Sequence, residues 1–129
     1  MTSLQTHLSI DSTLSGKLIS LSTDHAKVLL HTTRQMAADA QGLVHGGFLF
    51  SAADYAAMCA VNDPYVVLGA ASTKFIAPVR VGDVVVFEAR VVKTKGKKRE
   101  VLVVGSVEGV TVFEGSFTAF VLDGHVLEG

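Results

Sequence analysis

The sequence predicts an α+β fold in which one long apolar helix packs against an antiparallel sheet. Residues 45–62 carry small or apolar side chains on nearly every side, and a helix without a polar face is expected to be buried. After Pro64 the chain changes to four stretches rich in Val and Phe, separated by short turns that contain glycine. Strands joined by such short turns must run antiparallel, so we expect a sheet of five or six strands that buries the helix.

Each element follows from local pattern. Residues 17–22 and 26–32 alternate in polarity around a turn at residues 24–25, which predicts a hairpin. The central helix is expected to end before Pro64, because the residue that precedes a proline is steered away from helical backbone angles. Residues 1–16 are compatible with a short helix or a capping segment. The later strands are predicted at residues 65–75, 83–94, 99–107 and 111–122, with turns at residues 81–83, 95–97 and 108–109.

Composition indicates one domain, residues 1–129, and excludes several classes of protein. Apolar residues make up 49% of the chain and there is no Trp, which suits a compact domain or one that hides more surface by self-association. A formal net charge of −1 argues against a nucleic-acid partner. No apolar run reaches the roughly 20 residues that a membrane span requires, so we expect no membrane partner.

Cysteine and histidine usage points to a cytoplasmic protein without a metal. The single cysteine, Cys59, cannot form an internal disulfide, and the N-terminus does not resemble an export signal. The histidines outside the helix lack the spacing of a metal site. We expect Cys59 to be a packing residue, and Ser51 lacks the glycine-flanked elbow of a serine hydrolase.

Asp54 is the exceptional residue of the central helix. An ionised carboxylate buried without a partner is penalised by several kcal/mol, comparable to the whole stability of a small domain. Asp54 therefore either bonds a neighbouring backbone group or hydroxyl, or lines a cavity that substrate fills. At the start of the same helix, Gly46 and Gly47 offer backbone N–H groups that have no intrahelical partner.

A set of residues around this helix resembles a known family, the hotdog-fold acyl-CoA thioesterases of the phenylacetate-pathway type. The hotdog fold wraps an antiparallel sheet around one central helix, and the resemblance covers roughly residues 16–122. It is carried by Asp39, Gly42, His45-Gly46-Gly47 and Asp54, followed by Ser72-Thr73-Lys74-Phe75-Ile76-Ala77-Pro78 and Val81-Gly82-Asp83.

The resemblance implies hydrolysis of an acyl-CoA or acyl-carrier thioester without a metal or redox cofactor. Asp54 would attack the thioester or activate water, and the Gly46 amide would hold the thioester oxygen. A helix N-terminus suits that second role, since its unpaired donors and positive potential stabilise an oxygen that gains charge. The residues implied to bind substrate are Asp39, His45, Gly47, Phe48 and Met58.

Helix geometry predicts that the active unit is a homodimer. Eight residues at about 1.5 Å each separate Gly46 from Asp54 by roughly 12 Å along the axis, so one thioester group cannot touch both. The two groups must then come from two chains with antiparallel central helices across a twofold axis, which matches the family's dimers. A dimer of dimers is equally compatible with the sequence.

Some positions depart from the family pattern. Asp39 stands where this branch usually has Asn or Gln, and another hotdog branch places its catalytic Asp in an Asp-x-x-Gly-x-Val pattern that Asp39, Gly42 and Val44 reproduce. Whether Asp39 or Asp54 is the key carboxylate therefore stays open. Met58 falls where some relatives carry a hydroxyl that orients water. His45 is expected to brace the turn, with proton transfer as the alternative.

Two other functions compete with hydrolysis. The first is a non-catalytic acyl-CoA-binding or sensing protein, because some hotdog domains attached to transcription regulators share the sheet texture but carry Asn at the position of Asp54. The second is a dehydratase or hydratase, which is disfavoured because no histidine follows Asp54 before His125. The run 93–99 holds five of the eleven basic residues, and is either a solubilising turn or a clamp for coenzyme A phosphates.

Overall fold

One long helix lies against a six-stranded sheet, as the α+β prediction required. The computed structural model of the chain describes residues 2–129, and every strand pairing in it is antiparallel, in the order β1-β2-β4-β5-β6-β3. Short 3₁₀ turns lie at Arg34–Met36 and Val126–Glu128. The elements are α1 (Ser12–Ser15), β1 (Lys17–Ser22), β2 (His25–His31), α2 (Gly46–Val61), β3 (Val66–Phe75), β4 (Val84–Lys95), β5 (Lys98–Val107) and β6 (Val110–Val121).

Helix α2 is the centre of the core, as its apolar sequence predicts. Nine of its side chains are buried, and the large aromatic residues that pack beneath it come from the middle strands of the sheet, Phe87 on β4 and Phe113 and Phe117 on β6. No helix within residues 2–129 combines the length and the apolar character that crossing a membrane would take. The apolar surface of α2 is buried against the sheet.

Helix α2 ends at a left-handed cap formed by Asn62. Asn62 adopts a left-handed conformation, with φ 52° and ψ 51°, and its N–H donates to the Met58 carbonyl, so the last helical residue is Val61. Asn is one of the few residues other than glycine that tolerates this conformation. The helix ends before Pro64, as predicted, and the left-handed cap at Asn62 ends it two residues before the proline.

The start of the chain is tied to this end of the helix. The Asn62 side chain donates from Nδ2 to the Ser3 carbonyl at 2.9 Å and accepts at Oδ1 from the Gln5 N–H at 2.8 Å. Farther along, Asp11 caps the single turn of α1, so the predicted short helix is present at Ser12–Ser15. We call residues 3–7 the N-terminal strap.

The strands fall within about one residue of their predicted ranges, and the sequence did not specify which strands pair. Strand β3 pairs with β6 at the sheet edge, and β4 lies between β2 and β5. Residues 76–83 instead bond the loop before α2: the Val44 N–H donates to the Val79 carbonyl at 2.8 Å, and the Val81 N–H donates to the Gly42 carbonyl at 2.8 Å. The segment is therefore a crossover that supports the helix start.

Strand β3 leaves part of the core-side face of the sheet uncovered. Ala71 and Phe75 are opposite Phe117 and Phe113 of β6, so all four side chains point to the helix side of the sheet. The two β6 phenylalanines are fully buried, but Ala71 is exposed and Phe75 is 53% exposed. Helix α2 thus covers the middle of the sheet and not its β3 edge.

Candidate functional site

The start of α2 presents backbone rather than side chains to the surface. His45 is extended, and within residues 2–129 its side chain makes no capping hydrogen bond to the first turn. Gly46 lies under the ring of Phe75, and a Cβ added there would meet Phe75 Cε1 at 3.0 Å. Because glycine has no Cβ, a ligand can approach the first-turn N–H groups closely.

An apolar groove of about 310 Å³ opens beside Gly46. It is formed by the loop before α2, by Leu49 one turn into the helix, and by the crossover that follows β3. Apolar walls beside a small number of backbone donors are typical of a small-molecule site. The lining residues are Leu43, Val44, Gly46, Leu49, Phe75, Ile76, Ala77, Pro78 and Val79.

Three of the predicted binding residues, His45, Gly47 and Phe48, form one cluster at this end of the helix. The His45 ring lies against Gly47, where a Cβ would come within 3.0 Å of Nε2. The same ring meets Phe48 edge-on, with ring centroids 6.2 Å apart. The His45 ring packs on Gly47 and Phe48, and a side chain at position 47 would be in tight contact with the imidazole unless the ring moved slightly.

Asp54 lies two turns farther along α2, in an environment that is unfavourable for an ionised carboxylate. Its Oδ1 is buried without a hydrogen-bond partner anywhere in residues 2–129. Burial raises the pKa of Asp54 from 3.8 to about 6, because the charged form loses its hydration. A general base works best when its pKa lies near the operating pH, so this carboxylate is suited to accept a proton at neutral pH.

Gly46 and Asp54 do not meet within one chain. Helix α2 is continuous between them, so the estimate of about 12 Å along the axis stands. The groove beside Gly46 contains Leu49 but does not extend to Asp54. The two groups predicted to do the chemistry can therefore share a substrate only if a second chain brings its own Asp54 to this groove.

Asp39 lies apart from Asp54, in the exposed loop before α2. Its Oδ1 accepts the N–H groups of Gln41 at 2.9 Å and Leu43 at 3.2 Å, so the carboxylate shapes the turn that precedes the helix. It also lines a second groove, of about 210 Å³, together with Pro78 and Arg80. The second groove shares Leu43 and Pro78 with the groove at Gly46. Asp39 therefore lies at the rim of the groove at Gly46.

Met58 and Cys59 lie deeper than the other candidates. Met58 is 1% exposed and belongs to the core between helix and sheet, so within a single chain it does not reach the groove at Gly46. Cys59 is fully buried, and burial raises the pKa of its thiol to about 12. The thiol therefore stays neutral, consistent with the packing role expected for it.

The basic run forms the tip of the β4–β5 hairpin and is far from Gly46 of the same chain. Lys98 pairs with Phe120 of β6, whereas the Phe75 that covers Gly46 pairs with Phe113. Seven residues along a strand correspond to about 23 Å. Part of the charge is also used locally, since Lys97 bonds the Asp123 carboxylate at 2.7 Å.

The sequence reasoning missed Phe75 as a site residue. Its contact with Gly46 depends on the pairing of β3 with β6 and on the crossover that follows, and no short-range pattern encodes either of these. The resemblance included this phenylalanine among its matching residues, but only as part of a strand. The structure assigns it to the wall of the groove.

The chain is similar to known proteins in sequence and in fold. Residues 41–112 match the family model described as the thioesterase superfamily. The chain is 53% identical over 121 residues to a protein of Aquifex aeolicus named methylthioribose-1-phosphate isomerase, covering 93% of this chain and 26% of that protein. It is 30% identical to transcription factor FapR of Caldanaerobacter subterraneus, covering 88% of this chain and 57% of FapR. The chain thus spans between a quarter and somewhat more than half of these relatives.

Two solved structures share the whole fold. Protein PH1136 of Pyrococcus horikoshii superposes with a TM-score of 0.97 at 46% identity, over 98% of this chain and 97% of that one. The E. coli PaaI protein, from the phenylacetic acid degradation operon, superposes with a TM-score of 0.80 at 27% identity, over 87% and 83% of the two chains. These findings confirm the hotdog fold and the resemblance to the phenylacetate-pathway type. From its fold, its helix start and the family model, the chain belongs to the thioesterase superfamily.

Proposed function

We propose that this chain hydrolyses an acyl-CoA or acyl-carrier thioester, with the Gly46 amide of one copy and Asp54 of a second copy at each site. The observation that carries the proposal is Asp54, a carboxylate with a buried, unpartnered oxygen and a pKa raised to about 6. An unsatisfied buried group of this kind is costly, so its retention is most simply explained by use. Similarity to PaaI and the thioesterase family model support the reaction class.

The groove at Gly46 supplies the other half of the reaction. The thioester carbonyl would point at the first-turn N–H groups of α2, which stabilise the oxygen as it gains negative charge. The apolar walls at Leu49 and Phe75 would hold the uncharged part of the substrate. Asp54 of the second copy would attack the carbonyl carbon or remove a proton from an attacking water. The carbon–sulfur bond then breaks, the thiolate takes up a proton, and water supplies the oxygen of the free acid.

The sharpest test removes each group separately and then mixes the two variants. Gly46→Pro deletes the N–H at the first helical position, where proline is favoured, and His45 before it already has the extended angles that proline demands, φ −65° and ψ 131°. Asp54→Asn deletes the carboxylate. Each variant alone should lose at least about a hundredfold in kcat, as when a principal stabilising group is removed.

A mixture of the two variants should recover activity. Co-expressed Gly46→Pro and Asp54→Asn chains can form a dimer in which one site carries both defects and the other carries neither. Thiol release should then rise towards half the wild-type rate per mixed dimer, measured with a thiol-trapping reagent over a panel of acyl-CoA esters. Gly46→Ala is the matched control, since it keeps the N–H and adds only a methyl group near Phe75. If the purified mixed dimer is as inactive as its parents, the two-chain site is wrong.

A non-catalytic acyl-CoA sensor is the second candidate, favoured by the 30% identity to transcription factor FapR. Such a protein would bind the thioester in the same groove without turnover. The discriminating measurement is isothermal calorimetry with an acyl-CoA beside the thiol-release assay. Binding without release of thiol would select the sensor, and turnover that depends on Asp54 would select the enzyme.

A further inference from the structure

A pair of hydroxyl groups lies where α1 packs on α2, one helical turn before Asp54. Ser15, the last residue of α1, is 8% exposed, and its Oγ lies 2.8 Å from Oγ of the half-buried Ser51 on α2. Only two other polar residues within residues 2–129 are buried, Thr6 and Thr32. The Thr32 hydroxyl bonds two backbone carbonyls of the loop that leads into β4, a plainly structural role.

One of the two hydroxyl protons of the serine pair has no acceptor among residues 2–129. Each hydroxyl carries one donor proton, and the bond between Ser15 and Ser51 uses one of the two. Neither hydroxyl forms another hydrogen bond with the part of the chain that the structure describes. Ser15 is the more deeply buried of the two and has no access to another acceptor among the described residues, so we take Ser15 as the donor to Ser51. The proton of Ser51 is then free to point away from α1.

Ser51 and Asp54 lie on the same side of the helix, because they are three residues apart in it. Residues three apart on a helix are surface neighbours, with Cβ atoms about 5–6 Å apart. This separation suits a single water that bonds both side chains. The Oδ1 of Asp54 has no hydrogen-bond partner within residues 2–129, so it can accept a hydrogen bond from such a water.

Building on the proposed thioester hydrolysis, we infer that Ser51 orients the water that Asp54 activates, and that Ser15 is the positioning residue that fixes Ser51. Ser15 donates to Ser51, Ser51 donates to the water oxygen, and one proton of the water faces Asp54. The water oxygen forms a bond to the thioester carbon as its proton passes to the Asp54 carboxylate. The carbon–sulfur bond then breaks, and the leaving thiolate takes up the proton from Asp54, which restores the carboxylate. Ser51 thus supplies a hydroxyl one turn before Asp54. Met58, one turn after Asp54, has no hydroxyl.

The test compares five serine variants in the full chain, one of them a control. Ser51→Ala should lower kcat about tenfold and leave KM within about twofold, because the water is ordered only during reaction. Ser51→Thr keeps the hydroxyl and should restore most of the rate. Ser15→Ala should cost about threefold, and the double variant should be no slower than Ser51→Ala alone, because Ser15 acts through Ser51. Ser22→Ala, on the exposed end of β1, is the control for loss of a hydroxyl.

The outcomes separate this inference from the proposed function. If Ser51→Ala has the wild-type kcat, or if it changes only the melting temperature and KM, the hydroxyls serve packing and the inference is overturned. Additive losses in the double variant would also overturn the relay from Ser15 to Ser51. A wild-type protein that releases no thiol from any acyl-CoA would overturn both proposals, whereas an active wild type with indifferent serines overturns this one alone.

Discussion

At the scale of single residues, Asp54 determines how the protein should respond to pH. Burial raises the pKa of this carboxyl to about 6, so the protonated form is abundant below that pH and the ionised form above it. A base must be ionised to act. We therefore expect kcat/KM for thiol release to rise tenfold per pH unit below about 6 and to level off above it. A rate that is flat between pH 5 and 7 would mean that another group controls the reaction.

The same residue should make the protein less stable than it could be. Since the pKa of Asp54 is higher in the folded chain than its ordinary 3.8, the folded state holds its proton more tightly, and stability falls as pH rises from about 4 to 6. A shift of two units corresponds to about 3 kcal/mol, and partial solvent exposure reduces this to about 1–2 kcal/mol. Asp54→Asn should therefore unfold at higher urea than the wild type at pH 7.5, with the advantage vanishing near pH 4.

Some residues of the candidate site can be identified from the sequence, and others only from the structure. Asp54 stands out because a charge interrupts an otherwise apolar helix, and Gly46 because glycines rarely begin such a helix. Phe75 and the serine pair could not be found in the same way, since each depends on elements distant in sequence. Register between β3 and β6 places the phenylalanine, and the packing of α1 on α2 places Ser15 beside Ser51.

At the scale of elements, the end of α2 depends on Asn62. The residue combines a left-handed backbone with two hydrogen bonds to the N-terminal strap. Asn62→Gly removes the bonds but tolerates the backbone, whereas Asn62→Ala removes the bonds and adds a left-handed penalty of about 1 kcal/mol. We expect both variants to unfold at lower urea, with the alanine variant less stable by about that amount. Equal stabilities would show that the backbone conformation carries no strain.

Element boundaries were predictable and one pairing was not. The 16 residues of α2 and the ranges of the strands follow from periodicity and turn residues, because these are local properties. The edge position of β3 follows from the crossover at residues 76–83, whose backbone bonds reach Gly42 and Val44. Short turns containing Gly look alike in sequence whether they close a hairpin or belong to a crossover, so the sequence did not determine which strand pairs with β3.

At the scale of the whole molecule, the uncovered inner face of β3 predicts self-association. Ala71 and Phe75 point to the core side of the sheet but remain exposed, and β3 is an edge strand of ten residues. Long exposed edges with small or apolar side chains favour pairing with another chain. We expect a dimer in sedimentation experiments, which Ala71→Glu should convert to monomers with loss of thiol release.

A control on the same strand tests whether the face matters. Ser72 points to the opposite side of the sheet, opposite Ser116, so Ser72→Glu adds the same charge one residue away without entering the uncovered face. This variant should remain dimeric and active. Monomers that retain full turnover after Ala71→Glu would contradict a site shared between two chains.

The N-terminal strap has a practical consequence for anyone who produces this protein. The Ser3 carbonyl and the Gln5 amide are occupied by Asn62, and Thr6 is buried, so a purification handle joined directly ahead of them would lie next to the contacts that hold the end of the central helix. The opposite terminus offers a freer place of attachment, since Leu127 is 87% exposed. A cleavable handle placed there should leave the melting curve unchanged, while one fused at the front should lower it.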